Sequence, residues 1–249
     1  MSFIALNSEW HYYYGWVTPK EWLTQMARPD KTLHTMNAFV NILAENYATS
    51  FSTEEDALLE EINKYTLKNH PHAHMLSGKV QGDLLTIISR LLQPKRILEV
   101  GTFTGYSALC LAKGLQPDGK LYTIELREED AATATGYFEK SAQKNQIHLL
   151  VGDAKTIIPT LNETWDIAFI DADKSGYIDY YELILPFIKI NGIIIADNVL
   201  FHGQVLEPEI TGKNAKAIHA FNQHVKNDTR TEQVLLTVRD GLSIIRKKG

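Results

Sequence analysis

The chain has a single cysteine, Cys110, among 249 residues. One thiol cannot close a disulfide within one chain, so a reducing compartment, the cytoplasm, is expected. Cys110 lies in the apolar run 108–112 and is expected as a buried small hydrophobe. No uncharged apolar stretch approaches the roughly 20 residues of a membrane span. The start of the chain shows no basic leader ahead of an apolar run and small residues, so no signal peptide is expected. Repeats and low-complexity segments are absent. Positive charge is scarce, with 25 Lys and Arg against 30 Asp and Glu and a formal net charge of −5. Lys213, Lys216, Lys226 and Arg230 form only a modest basic group, which weighs against nucleic acid as a partner. Two phosphate-binding signatures are also missing, Gly-x-Gly-x-x-Gly and the loop ending in Gly-Lys-Ser/Thr.

What is present suits one domain over residues 1–249, with 1–75 as an aromatic-rich, helical extension and 76–249 as the core. Hydrophobic residues make up 44%, enough for a sizeable core. Trp10, Tyr12, Tyr13, Tyr14, Trp16 and Trp22 crowd the start and read either as a segment packed onto the domain or a second subunit, or as an unusual surface stretch. Ser52 and Glu55 read as a capping box opening a helix. Residues 81–92 read as a second helix, with Leu84, Leu85, Ile88 and Leu92 on one face. Between them, His70, His72 and His74 flank Pro71 and Ala73 in what reads as a solvated loop rather than a metal site.

From residue 96 onward, short apolar strands alternate with helices. Strands are expected at 96–100, 121–124, 148–151, 166–170 and 192–196, and helices at 107–115, 128–144, 157–161 and 180–188. Strands this apolar are covered by helices on both faces, so the fold class is α/β, a doubly wound, mostly parallel sheet. A helix at 215–225 and strands at 233–238 and 242–246 complete it, the last two split by Asp240-Gly241, a hairpin signal. The expectation is a seven-stranded sheet with a C-terminal antiparallel pair and extra N-terminal helices.

Ligands of such sheets bind beyond the carboxyl ends of the strands. The first strand ends in Glu99, Gly101, Thr102, Gly105 and Ser107, where the glycines let backbone approach a ligand. A carboxylate at Glu99 disfavours pyrophosphate and suits a cationic ligand, such as S-adenosylmethionine. Glu125 ends the second strand, placed to take two ribose hydroxyls, and Ala154 follows the third, where adenine would lie. Asp171, Asp197 and Asn198 end the fourth and fifth strands and offer three oxygens to a hard cation: Mg2+, or another divalent ion such as Ca2+ or Mn2+. Lys174, three residues past Asp171, is the candidate general base. The wrong glycine spacing argues against the nicotinamide-dependent oxidoreductase alternative.

Residues 75–246 resemble the caffeoyl-CoA and catechol O-methyltransferase family. The resemblance rests on Glu-Val-Gly-Thr-Phe-Thr-Gly-Tyr-Ser at 99–107, Phe-Ile-Asp-Ala-Asp-Lys at 169–174, Ala-Asp-Asn at 196–198 and Asp-Gly-Leu at 240–242. It implies metal-dependent methyl transfer from S-adenosylmethionine to a catechol-like small molecule. Asp171, Asp197 and Asn198 would be metal ligands, with Asp171 and Lys174 in the catalytic set. Ser77, Glu99, Gly101, Thr102, Ser107, Glu125, Ala154, Asp173 and Tyr180 would contact the cofactor, and His202 the acceptor. The resemblance also implies a homodimer built through N-terminal helices. Glu125 departs from the family's usual Asp, and Gln81 from a common acidic residue. Asp173 sides with the plant and bacterial branch. Methylation of a hydroxylated uridine in tRNA is the alternative that shares this chemistry.

Overall fold

A computed structural model describes residues 42–249, so the aromatic-rich start lies outside the described residues. Helices α1 (Ile42–Phe51), α2 (Ala57–Asn69) and α3 (Lys79–Leu92) precede the sheet. The expected capping box does not form. Ser52 instead closes α1, its hydroxyl donating to the Ala48 carbonyl at 2.7 Å. Asp56 caps α2, accepting from the Leu59 amide at 3.0 Å. Glu55 is unavailable as the reciprocal partner because its carboxylate accepts from the Tyr106 hydroxyl. His70 is also not solvated. Its Nε2 lies 2.8 Å from Asp130 Oδ1, and its ring meets Phe103 edge-on. His72 and His74 remain exposed.

The rest of the chain runs β1 (Arg96–Val100), α4 (Tyr106–Ala112), β2 (Lys120–Glu125), α5 (Glu128–Phe138), β3 (Ile147–Val151), α6 (Ala154–Ile157), β4 (Trp165–Ile170), α7 (Tyr177–Ile184), β5 (Ile188–Asp197), α8 (Lys213–Asn227), β6 (Thr231–Leu236) and β7 (Leu242–Lys247). The sheet order is β3-β2-β1-β4-β5-β7-β6. β1 to β5 pair in parallel, and β7 is antiparallel to both β5 and β6.

The apolar strand runs supply both faces by simple alternation. Ile97, Ile167, Phe169, Ile193 and Ile195 face one core with residues of α2 to α5. Leu98, Ala168, Ile170, Ile194 and Ala196 face the other with residues of α6 to α8. β5 begins earlier than expected, because Ile188 already pairs with Trp165 before a register shift that brings Ile193 opposite Ile167. Asp240-Gly241 does not make a two-residue hairpin. Leu236 and Leu242 are the last pair, leaving 237–241 as the loop. The dipeptide docks the next segment instead: the Leu200 amide donates to Asp240 O (2.9 Å) and the Val199 amide to Gly241 O (3.1 Å).

Strand order reverses at β1 and β4, where the crevice opens. Gly101 sits there at φ +97°, and a Cβ on it would stand 2.0 Å from the Asp171 backbone oxygen. Gly101→Ala is therefore expected to cost about 3 kcal/mol or more, from left-handed strain plus overlap. Denaturant unfolding checks this, and a midpoint near wild type would refute the tight crossing.

Candidate active site

The carboxyl ends of β1 to β5 border a cavity of about 750 Å³. Its β1–β3 half is organised by Glu125. Glu125 Oε2 accepts from the amides of Thr102 (3.1 Å) and Phe103 (2.7 Å), and Oε1 from Arg127 (3.0 Å). One side chain thus pins the β1–α4 turn and holds Phe103 at φ +51°. Ser77, Gly101, Glu125, Ala154, Asp173 and Tyr180 all line the cavity. The Tyr180 hydroxyl donates to Asp173 Oδ1 and Ser175 to Oδ2 (2.9 Å). Burial pushes the Asp173 carboxyl up, but these hydrogen bonds outweigh it and hold it below its usual range.

Three predicted cofactor residues, Glu99, Thr102 and Ser107, stand behind that wall rather than on it. Thr102 and Thr123 share a hydrogen bond of 2.5 Å, and Thr123 donates onward to Glu99 Oε2. Glu99 Oε1 makes no hydrogen bond of ordinary geometry, and the Ser107 hydroxyl is the other polar group facing the carboxylate. Burial pushes the Glu99 carboxyl up to about 8. A folded-state pKa raised above the ordinary 4.5 sets the sign of a pH effect. The stability linked to Glu99 is full below about pH 4.5 and is lost as pH rises through about 8. Glu99→Gln should therefore flatten the ligand-free melting temperature between pH 5 and pH 9, approximately the span of that titration. Parallel declines in wild type and variant would show that Glu99 is solvated.

The β4–β5 half carries the acids. Asp171, Lys174, Asp197, Asn198 and His202 line the same cavity. Asp197 is 3% exposed, with Gln81 Nε2 donating to Oδ2 at 2.7 Å and the Asn198 amide to Oδ1 at 2.6 Å. Burial first, and the charge of Asp171 second, push Asp197 up to about 7. Asn198 adopts φ +54° at the strand end. Lys174 Nζ donates to Asp171 Oδ1 (3.1 Å) and to the Tyr177 hydroxyl (2.6 Å), which donates to the Asp197 carbonyl (3.0 Å). Lys174 is therefore held at two points. His202, at φ +52°, is fixed through its amide, which donates to Asp240 Oδ1 at 2.6 Å.

Thr123, Tyr177, Arg239 and Asp240 were not among the residues predicted from sequence. Two of these left a signal: Asp240 in the Asp-Gly-Leu motif, and Tyr177 in its i+3 spacing from Lys174 at the start of a helix. Glu182, His224 and Asp228 also bring their ligand atoms together. The Arg230 guanidinium already bridges Glu182 and Asp228 there, supplying the positive charge.

Residues 49–248 match the model of the O-methyltransferase family. The chain belongs to that family. A caffeoyl-CoA O-methyltransferase from Stellaria longipes is 31% identical over 80% of this O-methyltransferase and 87% of that relative. A probable caffeoyl-CoA O-methyltransferase from Dictyostelium discoideum is 32% identical, over 81% and 90% respectively. Among solved structures, an SAH-bound methyltransferase from Podospora anserina superposes with a TM-score of 0.77 at 29% identity, covering 84% of this chain and 95% of that one. An O-methyltransferase from Bacillus cereus in complex with SAH gives 0.74 at 26%, covering 83% and 97%.

Proposed function

We propose that this O-methyltransferase moves a methyl group from S-adenosylmethionine to one hydroxyl of a catechol-like acceptor, with a divalent cation. The observation that carries this reading is the meeting of Asp171, Asp197, Asn198 and Lys174 at the ends of adjacent strands in one cavity. The donor set fits a hard cation, having two carboxylates and an amide oxygen, with Asp197 destabilised as a bare anion by burial and by Asp171.

When bound, S-adenosylmethionine supplies an electrophilic methyl group, and the cation acts as a Lewis acid that eases ionisation of a hydroxyl. The chain's own residues do the rest. Glu125 keeps one lone-pair site free on Oε1, which would take a ribose hydroxyl, and Asp173 and Tyr180 would border the rest of the donor. Asp171, Asp197 and Asn198 would hold the cation, with Gln81 orienting Asp197. As the neutral amine, Lys174 Nζ takes the proton from the acceptor hydroxyl and becomes the ammonium, which Asp171 then stabilises and Tyr177 steadies. The fixed walls would position acceptor and donor for transfer, and positioning of this kind supplies much of the rate.

The test is transfer from labelled S-adenosylmethionine to a catechol panel, caffeate and caffeoyl-CoA included, with magnesium and then with excess chelator. Transfer that stops with chelator and returns with metal is expected. Transfer that persists in chelator would overturn the role of the cation, and no transfer to any catechol would overturn the acceptor class.

A further inference from the structure

We infer that Arg239 reads a carboxylate on the acceptor, so that the preferred substrate is a catechol acid; this rests on the catechol reading above. The sheet order lays the site out in a line. The ends of β1, β2 and β3 border the proposed donor half, and the ends of β4 and β5 carry the acids and Lys174. The next strand is β7, whose Leu242 pairs with Asp197 itself. Arg239 stands three residues before Leu242, in the loop 237–241, and lines the cavity. Arg239 lines the same cavity as Asp171 and Asp197, so an acceptor whose hydroxyls sit at those carboxylates shares its space with the guanidinium.

Arg239 differs from the other lysines and arginines lining the cavity. Arg127 pairs with Asp130, Lys155 with Asp179 and Lys174 with Asp171. Among the described residues no carboxylate pairs with Arg239, whose one hydrogen bond runs from Nη1 to the Leu76 carbonyl at 2.6 Å. That bond uses one of five N–H donors and leaves the charge unmatched. Its backbone adopts φ +48°, a conformation costly for a long side chain. A half-buried, uncompensated guanidinium on a strained loop is a poor device for stability alone. It is a good receptor for a planar anion, because its fork matches a carboxylate with two parallel hydrogen bonds. The Leu76 bond fixes the orientation of that fork.

The experiment compares kcat/KM for 3,4-dihydroxybenzoate and its neutral amide, 3,4-dihydroxybenzamide, in the full chain with magnesium. Wild type, Arg239→Gln and Arg239→Lys are measured together. Glutamine keeps a donor without the charge, and lysine keeps the charge without the fork. The ratio of acid to amide is the readout, so a general loss of activity cancels from it. Wild type is expected to favour the acid about tenfold or more, Arg239→Gln to bring the ratio close to one, and Arg239→Lys to fall between. A preference that survives Arg239→Gln, or its absence in wild type, overturns the assignment. Caffeate and caffeoyl-CoA form the second arm. Dependence on Arg239 confined to the thioester would mean that phosphate is read, and would also overturn it. Calorimetry of dihydroxybenzoate on protein saturated with S-adenosylhomocysteine separates the two readings. Arg239-dependent binding without methyl transfer would sink the catechol reaction and leave Arg239 as an anion receptor. Transfer to neutral catechols with no acid preference would do the reverse, and neither binding nor transfer would overturn both.

Discussion

Lys174→Met is expected to lower kcat about 10²- to 10⁴-fold, the range for loss of a positioned general base. Methionine keeps most of the length and the packing over the Tyr177 ring, which Lys174 Nζ approaches at 4.8 Å from its centroid. It removes the amine that faces both Asp171 and the acceptor position. S-adenosylhomocysteine affinity, read by calorimetry, should stay close to wild type, because Lys174 Nζ bonds to Asp171 and Tyr177 and not to Glu125, Asp173 or Tyr180. A kcat loss below about tenfold would show that proton removal needs no base from the protein. Tyr177→Phe removes only one of the two anchors. Its expected loss is about 3- to 10-fold, the worth of one neutral hydrogen bond. The alkaline or acid limb of its rate profile should move while KM for the donor does not.

Asp197→Asn should abolish cation-dependent activity, with a loss of about 10³-fold or more if the cation supplies the acidity of the acceptor. The same change should leave the chain folded, and in chelator it should melt at or above the wild-type temperature. Asp197 is a buried carboxylate pressed by Asp171, so a neutral amide of the same shape relieves desolvation and repulsion together. Gln81 can turn its amide and keep a hydrogen bond to Asn at 197. Function falling while stability holds or rises is the signature of a site whose strain serves a ligand. Titration of magnesium by calorimetry checks the cause, and wild-type affinity in the variant would remove Asp197 from the cation's ligands. Loss of activity with collapse of the fold would instead make Asp197 structural.

Much of this architecture is legible in the sequence because it follows from local patterns. Near-continuous apolar runs such as Ile167–Ile170 or Ile193–Ala196 need cover on two faces, and that alone predicts helices above and below a mostly parallel sheet. Residues at strand ends face the crevice whatever the loops do, which is why Gly101, Glu125, Asp171, Asp197 and Asn198 could be named from their positions. Local competition was harder to read. Ser52 and Asp56 are both good caps, and the choice turned on Glu55 being taken by Tyr106, 51 positions away.

The remaining decisions belong to tertiary structure, because they join groups that sequence spacing does not relate. Gln81 reaches Asp197 across 116 positions, and Arg239 reaches Leu76 across 163. Whether a strand-end acid lies on the cavity wall or behind it, as Glu99 does, depends on how the chain packs just past β1, where Gly101 meets the Asp171 backbone. Burial then sets its charge: Glu99 and Asp197 are ordinary carboxylates in sequence, and only the low-dielectric interior and the neighbouring acids make them reluctant anions. The residue types and their order determine the fold and the kinds of groups at the crevice. The packing of distant segments determines which of those groups meet, which are left unpaired and therefore what the crevice can hold.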